Sequence, residues 1–348
     1  MASMYYFCTY FDKNYLPQGL ALYESLKQHC SKFKLWVLCM DEVSFVRLVQ
    51  LNLPEVELIA LQDFEKGDIS MLKAKQNRSQ IEYYFTCTPS LPLYVLDHWP
   101  EVNLVTYLDA DLFFFASPDP LFEELGAGSI AIIGHRFSEY MSKDKIYGIY
   151  NVGWVSFRRD INGYECLNWW RMKCIEWCYD KLDNGRFADQ KYLNDWPNRF
   201  QNVVVIQHKG GNVAPWNVSN YCFRSIEKNK VMVDDNYLIF YHFHGLKKIN
   251  RWMYDPAWTM HGITPSPILR NRVYKIYITC LENIRNQYPL LFEGGTSYSS
   301  KVRKKKDNIH SDIFFRGLRY IVYIFYVGRE LLTAKYIFSL NSVQKKSK

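Results

Sequence analysis

"VTYLDADLFFF", Val105 to Phe115, runs an apolar strand straight into two carboxylates and then into three consecutive phenylalanines. A buried charge without a partner is costly, so Asp109 and Asp111 at such a place require pairing, hydrogen bonds or a metal. Two Asp one residue apart can reach one divalent cation from a tight turn, and oxygen ligands suit Mg²⁺ or Mn²⁺. A cation held there would neutralise charge on a departing diphosphate. The plainer alternative is a solvated pair at a strand-to-loop junction. The apolar strand before the pair and the Phe run after it weigh against that.

Outward from this stretch, apolar runs alternate with helical patterns. "MYYFCTY" (4–10), "KLWVLCM" (34–40), "EVELIAL" (55–61), "NLVTYL" (103–108), "SIAIIG" (129–134) and "NVVVIQH" (202–208) read as strands. Leu20, Leu22, Tyr23 and Leu26 give a helix over about 20–28 one buried face, and "CLNWWRMKCIEWCYDKL" reads as another helix. "QIEYYFTCTPSLPLYVLDHW" reads as a helix that Pro89 and Pro92 break or restart. Strands apolar on both sides predict an α/β fold with a mostly parallel, helix-covered sheet. In such sheets ligands collect beyond the carboxyl ends of the strands, where Asp109 and Asp111 fall.

The chain has 348 residues, 48% of them hydrophobic and 17% aromatic, which is ample for a core and far from a disordered composition. Its net charge of +8 is unevenly placed. Residues 301–348 carry 12 Lys/Arg against three acids, so the first 300 residues sum to about −1. A nucleic-acid binder carries its basic patch on the folded domain, so this distribution points away from nucleic acid and toward an appended segment meeting an anionic surface. Nine cysteines without a CxxC pair read as free thiols of a reducing compartment, and the N-terminus shows no signal-peptide pattern. With no apolar run of about 18 residues, the expected location is cytoplasmic.

Four segments, in order, carry a resemblance. "CTYFDKNYLPQGLALYESL", "VTYLDADLFFFASPDPLFEE", "YNVGWVSFRRD" with "FADQKYLND", and "HFHGLKK" resemble the motifs of GT-A fold nucleotide-sugar glycosyltransferases. The closest likeness is to the retaining family 8 type, which includes glycogenin-like and lipopolysaccharide galactosyl- and glucosyltransferases. The resemblance covers residues 4–250 or so and implies a Rossmann-like catalytic domain over 1–265, with a helical, basic C-terminal segment over 266–348. It implies that Thr9, Tyr10 and Asp12 hold the nucleoside base and that Gly153 lies against the donor sugar. Asp189, Gln190 and Asn151 become the catalytic candidates that grip the sugar. From the family's His-x-x-Gly-x-x-Lys pattern, His242 joins Asp109 and Asp111 on Mn²⁺ or Mg²⁺, while Gly245 and Lys248 meet the diphosphate.

The sequence also departs from the family's pattern. The usual donor-binding Arg before the DxD is missing; Lys75 and Arg78, a little upstream, are the candidates to replace it. Lys191 stands where the second acid of D-Q-D is expected. "QHKGGNVAPWNVSNY" has no counterpart, and its Asn212, Trp216 and Asn217 read as an acceptor-binding loop, with Trp216 offering a stacking face.

The expected activity is metal-dependent hexosyl transfer from a nucleoside diphosphate sugar, with UDP as the expected nucleotide and retention of configuration. The expected acceptor is a saccharide or lipid-linked saccharide in surface polysaccharide synthesis. "DIFFRGLRYIVYIFYVGRELLTAKYIF", after the cluster "KVRKKK", reads as an interfacial anchor on anionic lipid, giving a peripheral membrane protein. The rival readings are a sugar nucleotidyltransferase, which would show a Gly-rich basic loop after the first strand, and a non-catalytic carbohydrate- or nucleotide-binding module.

Overall fold

The computed structural model describes residues 4–226, 230–250, 253–292 and 337–338. The chain divides into two compact units, Met1–His244 and Gly245–Lys348.

The first unit is built on strands β1 (Tyr5–Phe11), β2 (Phe33–Cys39), β3 (Val56–Ala60) and β4 (Leu104–Leu108). A short β5 (Leu112–Phe114) follows, then β6 (Ile130–Gly134), β7 (Tyr150–Arg158) and β8 (Val203–Ile206). Seven of these form one sheet in the order β3-β2-β1-β4-β7-β6-β8, in which β7 alone runs antiparallel to its neighbours. This is the mostly parallel arrangement that the sequence predicts.

Helices α1 (Leu16–His29), α2 (Glu42–Leu51), α3 (Leu61–Glu65), α4 (Ile69–Gln76) and α5 (Gln80–His98) connect the first four strands. Later come α6 (Asp119–Leu125), α7 (Ile161–Glu176) and α8 (Trp196–Arg199). Both sheet faces are covered, which is why the strands read as unbroken apolar runs. On one face Trp36, Val105, Tyr107 and Phe157 pack with Leu91 and Val95 of α5 and Trp170 of α7. On the other, Phe7, Phe114, Phe122, Trp154 and Phe240 form an aromatic cluster, with Trp154 and Phe240 stacked 5.5 Å apart.

The helix read as broken at its prolines is continuous. Pro89 and Pro92 are both buried inside α5. Each removes one N–H donor, but the helix is held at both ends. Ser79 and Glu82 form a reciprocal capping box at its start. At its finish Arg159 donates to the carbonyls of Leu96, Trp99 and, at 2.8 Å, Val102. Arg78 plays the same part for α7, donating to the carbonyls of Cys174, Ile175 and Cys178, so that a cation meets the negative helix end.

Two small sheets complete the first unit. Strands β9 (Phe223–Ile226), β10 (Lys230–Val233) and β11 (Asn236–Tyr237) make an antiparallel meander, and β12 (Phe240–His242) pairs antiparallel with β5.

In the second unit β13 (Lys247–Lys248), β14 (Met253–Asp255) and β15 (Ile337–Phe338) pair antiparallel, and a π-turn over Leu269–Tyr274 leads into α9 (Lys275–Gln287). The anchor and basic cluster expected over 301–348 lie outside the described residues, apart from the two residues of β15. Among the described residues no helix is long and apolar enough to cross a membrane.

The capping box makes a measurable claim. Replacing Glu82 removes acceptors for Ser79 N (2.8 Å) and Asp180 N (3.1 Å). Glu82→Ala should cost about 1 kcal/mol, a fall of roughly 2–4 °C in melting temperature by calorimetry. An unchanged melting temperature would refute the box as a support of α5.

Candidate active site

The site begins where β4 ends. The turn Asp109–Asp111 is closed by Leu112 N donating to Asp109 O (3.2 Å) and is tied to β7 by Asp109 N donating to Gly153 O (3.1 Å). In the β5–β12 ladder His242 lies opposite Leu112, and Phe243 N donates to Asp111 O at 3.0 Å. This register brings His242 Nε2 to 3.0 Å from Asp111 Oδ1 and 3.6 Å from Asp109 Oδ2.

His244 stands two residues on. Asp111, His242 and His244 each offer one ligand atom, and these atoms lie within 4.8 Å of one another. His244 is the site residue that the sequence reading missed. Its signal was present in "HFH", since alternate residues of an extended chain share a face.

The charges of the cluster depend on one another. Burial raises Asp109 above the usual carboxylate range and the Asp111 charge adds to this, against the pull of His242 and the Tyr107 hydroxyl (2.8 Å). Burial also opposes the Asp111 charge, yet the imidazoles of His242 and His244 hold that carboxyl below its ordinary value. His242 is raised: burial would lower it, but Asp111 and Asp109 outweigh that effect. The donor set of carboxylate and imidazole suits a divalent cation of borderline softness, and Mn²⁺ fits two nitrogens better than Mg²⁺ does.

Behind the cluster the packing leaves little freedom. A Cβ built on Gly153 would lie 3.0 Å from His242 Nδ1 and 2.6 Å from Asn151 Oδ1. Asn151 accepts from Gly153 N (3.0 Å) and meets His135 Nε2 at 3.2 Å. Trp216 is only 5% exposed, and its ring stands edge-on to His135, His242 and His244 at 5.2, 5.1 and 5.7 Å. Asn217 is buried, donating to the carbonyls of His135 (2.7 Å) and Asn212 (2.9 Å) and accepting from Ala214 N. Asn212 donates to Gly134 O at 3.0 Å. The three residues expected to meet an acceptor thus form the wall behind the imidazoles. Burial, helped by the two neighbouring imidazoles, pushes His135 down to about 3, so this ring is neutral.

A buried polar strip continues from Asp109. Tyr10 and Thr88 share a hydrogen bond of 3.1 Å, and the rings of Tyr10 and Tyr107 lie 5.7 Å apart. Burial, with Asp189 and then Asp109 nearby, raises Tyr10. Asp189 is 3% exposed and burial pushes it up to about 7, with Asp109 adding to the rise and Thr88 opposing it. Thr9 Oγ1, His135 Nδ1, Asp189 Oδ2, Asn212 Oδ1, Trp216 Nε1 and His242 Nδ1 are buried without a hydrogen-bond partner. Such atoms are uncommon in folded proteins.

The remaining candidates have other partners. Asp12 is the acceptor of a tight turn, taking Asn14 N (2.9 Å), Asn14 Nδ2 (3.0 Å) and Tyr15 N (3.2 Å). Gln190 donates to Tyr147 O at 3.1 Å. Lys75 is paired with Glu65 at 2.6 Å, and Arg78 caps α7 as described. In the second unit Gly245 takes a φ of +78°, and Lys248 is paired with Glu282 at 2.6 Å.

Fold and site together define a class: an α/β domain with a carboxylate–imidazole cluster of metal-binding type at the carboxyl end of a central strand. The chain belongs to the same family as YfnF of Bacillus subtilis (strain 168), an uncharacterized protein to which it is 35% identical over 251 residues, 70% of this chain and 82% of the relative. YfnD of the same strain, also uncharacterized, is 32% identical over 259 residues, 74% of this chain and 82% of the relative. No protein-family profile matches the chain.

Among solved structures it is similar to galactosyltransferase LgtC in complex with donor and acceptor sugar analogs: 17% identity, 77% of this chain and 100% of that one, TM-score 0.47. It is similar to GlyE of Streptococcus pneumoniae TIGR4 at 16% identity, over 83% and 64% of the two chains, TM-score 0.47. Mouse xyloside xylosyltransferase 1 gives 13% identity over 70% and 98%, TM-score 0.45. At that distance no residue role transfers.

Two outcomes follow from the geometry. Gly153→Ala should weaken Mn²⁺ binding at least about tenfold by titration calorimetry while the protein stays folded, because the new methyl displaces His242. Unchanged affinity would show that the ring has room to move. The folded state holds the Asp189 proton more tightly than the unfolded chain does. Ionising it therefore costs stability progressively as pH rises from about 4 through 7. In EDTA, Asp189→Asn should raise the melting temperature more at pH 8 than at pH 5. The same change at both pH values would contradict that origin.

Proposed function

We propose that the protein is a metal-dependent glycosyltransferase that moves a hexosyl group from a UDP-sugar, with retention, to a saccharide or lipid-linked saccharide of a surface polysaccharide. The observation that carries this reading is the convergence of Asp111, His242 and His244 within 4.8 Å beside Asp109. These groups would hold Mn²⁺, whose charge would offset that building on the diphosphate oxygens as the glycosidic bond breaks.

The chain's own groups have separable roles in this reading. Gly153, lacking a side chain, leaves room for the ring of His242, and Asn151, which accepts from Gly153 N, grips the donor sugar. Asp189, buried with one oxygen unpartnered, accepts a sugar hydroxyl and orients the donor. Thr9 and Tyr10, neighbours near the end of β1, serve the nucleoside. Lys248 serves the diphosphate as a cation, exchanging its ion pair with Glu282 for phosphate oxygens. The basic tail serves as a contact to anionic lipid on the inner face of the membrane.

The reading is tested by Mn²⁺-dependent hydrolysis of a panel of UDP- and GDP-sugars. One UDP-sugar should release UDP with wild type, and Asp111→Ala should lower the rate at least about a hundredfold, as loss of a metal ligand or its support does. Absence of turnover and of metal-dependent binding for every donor would remove the transferase reading.

A further inference from the structure

Near the end of β6 lies a second feature that the proposed reaction leaves unused. A pocket of about 380 Å³ opens past the ends of β6 and β8, lined chiefly by Arg136, Phe137, Lys145, Ile149, Ile206 and Gln207. We propose that this pocket seats an anionic group of the acceptor, a phosphate or a carboxylate, between Arg136 and Lys145. The word acceptor rests on the transferase reading above; the anion site itself does not.

Arg136 is held as a ligand-binding group is held. Its Nη1 donates to His208 O at 3.2 Å and its Nη2 to Gly211 O, so backbone carbonyls fix the guanidinium plane. The ring of Tyr221 lies 5.9 Å from the guanidinium. Its Nε is buried and has no partner. The backbone of Arg136 sits at a φ of 52°, a region that costs a non-glycine residue about 1 kcal/mol or more. Burial also lowers its pKa, so the cation is short of compensation. Glu124 is near enough to act on that charge, but its oxygens accept Gln207 N (2.5 Å) and His208 N (3.1 Å). No ion pair to Arg136 exists among the described residues.

Lys145 supplies the second charge from the 3₁₀ segment Glu139–Tyr147, and its ammonium makes no hydrogen bond or ion pair among the described residues. Phe137 and Ile206 contribute apolar walls beside the guanidinium, while Lys145, Ile149 and Gln207 are exposed at the rim. A neutral hydroxyl would leave the Arg136 charge as it is now; a phosphate or carboxylate seated beside the guanidinium offsets that charge and the charge of Lys145.

The pocket also stands in the right part of the chain. Arg136 follows His135, whose ring meets Asn151 and Trp216 behind His242, and Ile149 precedes Asn151 by two residues. An anionic substituent seated here would orient the rest of the acceptor from the strand end that leads into His135.

The test uses the full chain in EDTA, with inorganic phosphate, glucuronate and neutral glucose titrated by calorimetry. At least one anion should bind and glucose should not. Lys145→Gln and Arg136→Lys should each weaken binding about tenfold, the worth of one charge-assisted hydrogen bond. Asp111→Ala should leave it unchanged. Unaltered affinity in both basic-residue variants, or loss of anion binding in Asp111→Ala, would overturn the pocket.

This arm needs neither metal nor donor, so its failure is separate from failure of donor hydrolysis. With the active donor, glycerol phosphate and methyl glucuronide are then compared with methyl glucoside as accelerators of UDP release. Acceleration by the phosphate or by the uronate names the source of the anion, and no advantage of either over the glucoside would overturn the acceptor role.

Discussion

The candidate site depends on three pairs of residues in one short antiparallel ladder. Leu112, Phe113 and Phe114 pair with His242, Tyr241 and Phe240 across some 130 residues of chain. Side chains alternate along a strand, so a slip of one residue would turn the His242 imidazole away from Asp111 and bury a neighbour in its place. The register is fixed from the apolar side. Phe114 and Phe240 lie 5.5 Å apart in the cluster with Trp154 and Phe7, beneath the main sheet. Core packing therefore sets the distance between carboxylate and imidazole, and the polar groups need only fill the positions that the aromatics define.

That arrangement carries an electrostatic cost which the local pairs only partly offset. Asp109 and Asp111 repel, and burial penalises both. In the metal-free state the imidazole of His242 is the nearest source of positive charge, which is why its proton is held more firmly than usual. A divalent cation at the same place would answer both carboxylates at once and would displace that proton. Metal binding and deprotonation of His242 are then linked, and affinity rises with pH through the His242 titration. Charge balance gives the cluster the character of a binding site, since an ion pair kept only for stability is often no better than an apolar pair of the same size.

Much of the frame was legible in the chain because its two signals are local. Apolar runs with no alternation identified strands covered on both faces, and the DxD triplet at the end of one pointed to the candidate site. What was illegible depends on distant packing. Trp216, Asn212 and Asn217 have the composition of a saccharide-binding loop; they pack behind the histidines, where the Asn217 amide and Asn212 Nδ2 bond the backbone of 134–135 and 212–214. Pro89 and Pro92 carry the signal of a broken helix, and the broken helix loses to burial and to the arginine that caps the far end. Lys75 and Arg78 lie in the stretch where a donor-binding cation was sought, but the partners that engage them, Glu65 and the end of α7, are invisible to a reading of neighbours in sequence. His244 fell to a different limit: a single His after a strand has no weight until the ladder shows which way His242 points.

The unsatisfied atoms and the charges point the same way. A folded chain that leaves Thr9, His135, Asp189, Asn212, Trp216 and His242 each with a buried atom unpaired gives up stability at every one of them. An Asp at position 189 that holds its proton near neutrality adds to that loss wherever the pH is higher. Such losses persist only where the surrounding structure supplies the stability to carry them. The same reasoning extends to Arg136, whose left-handed backbone and unpaired Nε lie one residue from His135. The apolar core on both sheet faces supplies the stability against which these losses are set.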